Sequence, residues 1–238
     1  MPPGPPQPVG GAPGPWDLVL DSEFDGTSLP AQWSTGVEGI AGVTSPWNVL
    51  EQDCYDPAQV SVTGGALDLS ATAEQEACTQ PYAQGTEPYV TGTVTTDGLF
   101  SFTYGYVEAR IWLPGGPDGV ADWPAFWADG QAFSPAGGEI DIVEGLAGRA
   151  CATSHDVAGD PSTTCAAGTF AGGWHTFAAD WEPGSVTFYY DGAPISSTTS
   201  GVTSSPMFLV LDLALSASVT PVTAPVTMQV AYVRVWQH

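Results

Sequence analysis

The 238-residue chain carries 26 acidic residues against three basic ones, Arg110, Arg149 and Arg234, for a formal net charge of −23. Such a surface repels phosphate backbones and anionic lipid, which argues against nucleic acid or a membrane as partner. The 43% hydrophobic content is too high for a disordered chain, and no apolar run approaches the roughly 18 residues of a membrane span. Residues 1–15 are almost entirely Pro, Gly and Ala, and read as an extended linker or tail without a fold of its own. No basic stretch leads into an apolar one there, so no signal peptide is expected in it. A single domain is expected over residues 16–238.

From Trp16 onward Gly and Pro punctuate the chain, and Val, Thr, Ile and aromatic residues fill the intervals, the pattern of many short strands. Val60–Val62, Gly64-Gly65 and Ala66–Leu69 form a hairpin pattern. Between Tyr106 and Leu113 the alternation puts Val107, Ala109, Ile111 and Leu113 on one face, and Tyr106, Glu108, Arg110 and Trp112 on the other. Val186–Tyr190 runs into an Asp191-Gly192 turn. Phe208–Leu215 is a nearly unbroken apolar run, as in a strand covered on both faces. Met228–Trp236 is the last strand. No long amphipathic helix interrupts the series, so the expected class is all-β, two packed antiparallel sheets.

Four cysteines, none in a C-x-x-C pair, and three histidines make a zinc site a poor reading. Three disulfide connectivities are open. Pairing neighbours, Cys54 with Cys78 and Cys151 with Cys165, closes the shortest loops and is the expected one, in keeping with a secreted protein. The alternative is four reduced thiols in an intracellular one.

The chemistry concentrates in Gly137-Gly138-Glu139-Ile140-Asp141-Ile142-Val143-Glu144-Gly145. Acidic residues are depleted in strands, yet three occur here among Ile and Val. Regular alternation gives Glu139 and Asp141 one face but turns Glu144, five positions on, into the core. A bulge near Ile142-Val143 would return it. With that bulge the two glutamate carboxyls stand roughly 5–7 Å apart, near the ~5–5.5 Å of a retaining glycosidase. A solvated acidic face or a calcium site would use the same residue types. Trp123 and Trp127, just upstream, offer flat faces on which sugar rings stack.

These residues and several colinear segments resemble glycoside hydrolase family 16, in particular its laminarinase-like members. The match runs through Glu23-Phe24-Asp25-Gly26, Tyr104–Arg110, Trp123–Trp127, the acid signature with its inserted residue, Trp174–Phe177 and Tyr232–Val235. The resemblance implies a concanavalin A-like β-jelly-roll sandwich with a concave cleft, and a retaining double displacement. Glu139 is then the nucleophile, Glu144 the general acid/base and Asp141 the assisting carboxylate. It implies an endo-acting, secreted, monomeric enzyme that needs no cofactor, although Glu23 could contribute to a structural calcium. Ala231 stands where relatives often place an Asp for that ion, and Phe133-Ser134-Pro135 where many carry a Trp. Arg110, Trp112 and His155 join Trp123 and Trp127 as candidate substrate contacts. The acidic charge favours a neutral β-1,3- or mixed β-1,3/1,4-glucan over sulfated galactans and leaves agarose open. A transglycosylase and a non-catalytic glycan-binding module on the same fold are the rival readings.

Overall fold

The computed structural model describes residues 4–11, 14–79, 81–82, 85–130 and 137–238, so the expectation placed on Phe133-Ser134-Pro135 lies outside the described residues. Two sheets pack face to face. One holds Pro161–Cys165, Arg149–His155, Glu139–Leu146, Trp123–Gly130, Met207–Ala214, Thr93–Thr95 and Ser34–Thr35, in that spatial order. The other runs from Ala193–Thr198 through Ser185–Tyr190, Trp174–Glu182, Gly105–Trp112, Val226–Gln237, Ala66–Thr72 and Tyr89–Thr91 to Asp53–Tyr55. Asp17–Ser22 pairs with its Val226–Gln237 strand, and Val60–Thr63 forms the anticipated hairpin with Ala66–Thr72. Pairing is antiparallel except between Asp53–Tyr55 and Tyr89–Thr91. The fold is a β-jelly-roll sandwich.

The alternation read from the sequence decides which side chains meet between the sheets. Val107, Ala109, Ile111 and Leu113 enter the shared core, and Tyr106 joins a separate cluster with Ala178 and Trp236 on the other side of their sheet. The apolar run after Pro206 is covered twice. Met207, Leu209, Leu211 and Leu213 face the core, while Phe208 and Val210 pack with Ala125 and Trp127 on the opposite face of the strand. Each fully buried side chain of this kind stabilises the fold by about 1.5–3 kcal/mol.

Both nearest-neighbour disulfides are formed. Cys151 and Cys165 are directly opposed on adjacent strands, with Cα atoms 3.8 Å apart. The described part of the proline-rich segment, residues 4–11 and 14–15, forms no strand, but it is tied to the larger sheet. The Val9 N–H donates to Glu108 at 2.9 Å, the Tyr106 hydroxyl to the Val9 carbonyl at 2.9 Å, and the Trp236 indole to the Pro6 carbonyl at 3.1 Å.

The bulge is present in the acid strand. On one side Val143 pairs with Phe126 and Asp141 with Trp127; on the other Asp141 pairs with Thr153 and Glu144 with Cys151. Ile142 therefore has no direct partner in either ladder. Ile140, Ile142 and Val143 all lie in the core, so two successive residues point inward and Glu144 returns to the face of Glu139 and Asp141. The Tyr190 hydroxyl, reaching across the core from the other sheet, donates to the Ile142 carbonyl at 3.1 Å.

Tyr190→Phe leaves that buried carbonyl without its partner, at a cost of about 1–3 kcal/mol. Thermal unfolding should show a fall in melting temperature of several degrees; an unchanged melt would mean that the hydroxyl does not support the bulge.

Candidate active site

A cavity of about 360 Å³ crosses the free face of the seven-stranded sheet. Its floor comes from three adjacent strands. Trp123–Gly130 supplies Trp123, Trp127 and Asp129; Glu139–Leu146 supplies Glu139, Asp141 and Glu144; Met207–Ala214 supplies Asp212. His155 closes one side and Trp47, Asn48 and Glu51 the other.

The three acids of the signature occupy unlike surroundings. Glu139 keeps a side chain 40% exposed, whereas that of Asp141 is 5% exposed. Burial first, then the charges of Glu144 and Glu139, push the Asp141 carboxyl well above the usual carboxylate range. In its protonated form Asp141 can donate a hydrogen bond to the neighbouring Glu139. Glu144 accepts from the Trp123 indole at 3.2 Å and from the Thr153 hydroxyl at 3.0 Å. Burial raises its carboxyl and these two bonds oppose the rise. His155 Nε2 lies 3.2 Å from Asp141 and 3.9 Å from Glu139. These three residues offer donor atoms within 4.8 Å of one another.

An acid that holds its proton and two glutamates beside it on one face, flanked by indoles, are the equipment of glycosidic bond cleavage. The family model described as "Glycosyl hydrolases family 16" matches residues 54–221. The chain belongs to glycosyl hydrolases family 16. It is 28% identical to a "Beta-glucanase" of Rhodothermus marinus, over 93% of this chain and 85% of that protein. It is 31% identical to "Endo-1,3-1,4-beta-glycanase EglC" of Rhizobium meliloti, over 74% of this chain but only 39% of that longer protein. The solved endo-β-1,3-glucanase of Pyrococcus furiosus superposes with a TM-score of 0.77 at 27% identity, covering 93% of this chain and 94% of that one.

Not every residue expected at the site of this family 16 hydrolase reaches the cleft. Trp123, Trp127 and His155 line it. Arg110 and Trp112 do not. Their strand belongs to the opposite sheet, and its other face fills the core, so both side chains project from the far side of the sandwich. There Trp112 packs edge-on against Trp174. Glu23 does not suit a calcium ion either. Arg234 donates through Nη2 and Nε to its carboxylate, and through Nε at 3.0 Å to Asp21.

The second wall of the cleft had no signal in the sequence. Glu51 accepts from the backbone N–H groups of Trp47 and Asn48 at 3.1 and 3.2 Å and from the Tyr55 hydroxyl at 2.9 Å, folding that loop over the sheet. Trp47 then meets Trp127 edge to face at 5.2 Å. The Trp127 indole donates to Asp212 at 2.7 Å, which fixes its ring orientation. Burial raises the Asp212 carboxyl to about 8 and the nearby Asp53 carboxyl to about 7.

Asp53 and Asp212 hold protons that the unfolded chain releases near pH 4. Their stabilisation is therefore complete below about pH 4 and is lost as pH rises through about 7–8. The melting temperature should fall between pH 5 and pH 8.5, and Asp212→Asn should reduce the fall. A melting temperature that rises over this range would contradict the protonated state of these acids.

Proposed function

We propose that this family 16 hydrolase is an endo-acting, retaining β-glucanase whose substrate is a neutral β-1,3- or mixed β-1,3/1,4-glucan. The observation that carries the reading is the bulged strand, which gathers Glu139, Asp141 and Glu144 on one cleft face. In the first step the Glu139 carboxylate attacks the anomeric carbon. The glycosidic C–O bond breaks, and Glu144 gives its proton to the departing oxygen. In the second step Glu144, now a carboxylate, takes a proton from water. The water oxygen attacks the anomeric carbon and the ester bond to Glu139 breaks. Asp141 stabilises the Glu139 carboxylate through its hydrogen bond and relaxes that hold once the ester forms.

The raised affinity of Glu144 for its proton suits the acid role in the first step. Trp123 and Trp127 supply stacking faces, and His155, beside Glu139 and Asp141, is in position to hydrogen-bond a sugar hydroxyl. The scheme closes on three carboxyls alone, so no cofactor is assigned to it. All three arginines of the chain lie outside the cleft lining, which fits a neutral polymer better than a sulfated one. The names carried by the relatives from Rhodothermus marinus, Rhizobium meliloti and Pyrococcus furiosus support β-glucan as the substrate class. The two disulfides support an extracellular, oxidising setting, where we take the enzyme to act as a monomer.

Turnover on laminarin and lichenan should exceed that on agarose and carrageenan, and the products should be oligosaccharides shorter than the substrate. Longer products would indicate transfer to sugar instead of water. Glu139→Ala should lower turnover by roughly a thousandfold or more, and azide should restore bond cleavage with formation of an α-glycosyl azide. Binding of laminarin without turnover in the unsubstituted protein would overturn the assignment in favour of a glycan-binding module.

A further inference from the structure

Asp129 is a cleft residue that the scheme above does not use. It lies on the same face of its strand as Trp127 and lines the cavity, although only 5% of its surface is exposed. Its direct cross-strand partner is Glu139. Side chains so opposed have Cβ atoms about 4.5–5.5 Å apart, so Asp129 and Glu139 project side by side into the cleft.

The backbone holds it there. The Gly130 N–H donates to the Gly138 carbonyl at 3.2 Å. The strands pass so closely that a Cβ on Gly130 would lie 2.4 Å from the Gly137 carbonyl oxygen. The charged groups that face the Asp129 carboxyl, Glu139 and Asp97, are both acidic. Tyr82 is its other titratable neighbour, and no arginine lines this part of the cleft. Among the described residues no cation neutralises the group, and its carboxyl lines the cavity where a ligand would lie.

We propose that Asp129 is a substrate-binding residue whose carboxyl hydrogen-bonds a hydroxyl of the sugar adjoining the one attacked by Glu139. The proposal rests on the assignment of Glu139 as nucleophile. A protonated carboxyl matches a hydroxyl well, because each group both donates and accepts. A carboxylate at this position could only accept, and would stand beside the Glu139 anion. Burial, followed by the charge of Glu139, raises the Asp129 carboxyl to about 8, so the neutral form holds through the acidic and neutral range. Glucan affinity should then weaken as pH rises past about 8, through loss of one donor.

The test uses the full chain with laminarihexaose, measuring kcat and KM separately from pH 5 to pH 9. Asp129→Ala should raise KM about tenfold at pH 6, the scale of one lost hydrogen bond, with kcat changed less than about threefold. Asp129→Asn, which keeps a donor and an acceptor at every pH, should recover most of that loss. It should also remove the rise in KM that the unsubstituted enzyme shows toward pH 9. Calorimetric titration of laminarihexaose into Glu139→Ala and Glu139→Ala/Asp129→Ala keeps the question answerable without turnover; the double variant should bind about tenfold more weakly. Full turnover in Glu139→Ala would instead remove the nucleophile assignment itself. Unchanged KM in Asp129→Ala, or equal impairment in the Ala and Asn variants, would overturn the role of Asp129.

Discussion

One extra residue in the strand Glu139–Leu146 is the constraint on which the site depends. A strand presents alternate residues to alternate faces, so acids five positions apart cannot share a face unless the ladder slips. Here the slip falls at Ile142, whose side chain and that of Val143 both enter the core. At the bulge the Tyr190 hydroxyl from the facing sheet donates to the Ile142 carbonyl. Core packing on one side of the strand thus enforces the arrangement of acids on the other.

Those acids sit in a chain with few cations, and the structure handles them by burial and hydrogen bonding instead of ion pairing. Glu51 is held by backbone N–H groups and a tyrosine, Asp212 by an indole, and Glu144 by an indole and a threonine. Burial is the leading cause of the raised proton affinity of each. A cleft whose acids keep their protons repels less and donates more hydrogen bonds than the net charge suggests, which suits a neutral, hydroxyl-rich polymer. Arg234, by contrast, spends its charge on Asp21 and Glu23 far from the cleft lining.

The sequence made legible what depends on short-range alternation. The faces of Tyr106–Leu113, the hairpin at Gly64-Gly65, the bulge at Ile142-Val143 and the grouping of Glu139, Asp141 and Glu144 all follow from period two and its single interruption. Alternation does not say which sheet a strand joins. Arg110 and Trp112 were correctly placed on one face together, but that face belongs to the sheet opposite the acids. The wall built from Trp47 and Glu51, and the floor positions of Asp129 and Asp212, depend on pairings between segments far apart in the chain. Asp212 in particular lies within an apolar run whose second covered face gave no hint that the cover is a cleft.

The central claim is that the bulged strand delivers Glu139 to the anomeric carbon as a nucleophile. A 2-deoxy-2-fluoro laminaribioside with a good leaving group would slow hydrolysis of the glycosyl-enzyme, and mass spectrometry of the digested protein would locate the attached sugar. The account predicts a single covalent adduct on Glu139. An adduct on Glu144, or hydrolysis of the reagent without any adduct, would contradict it.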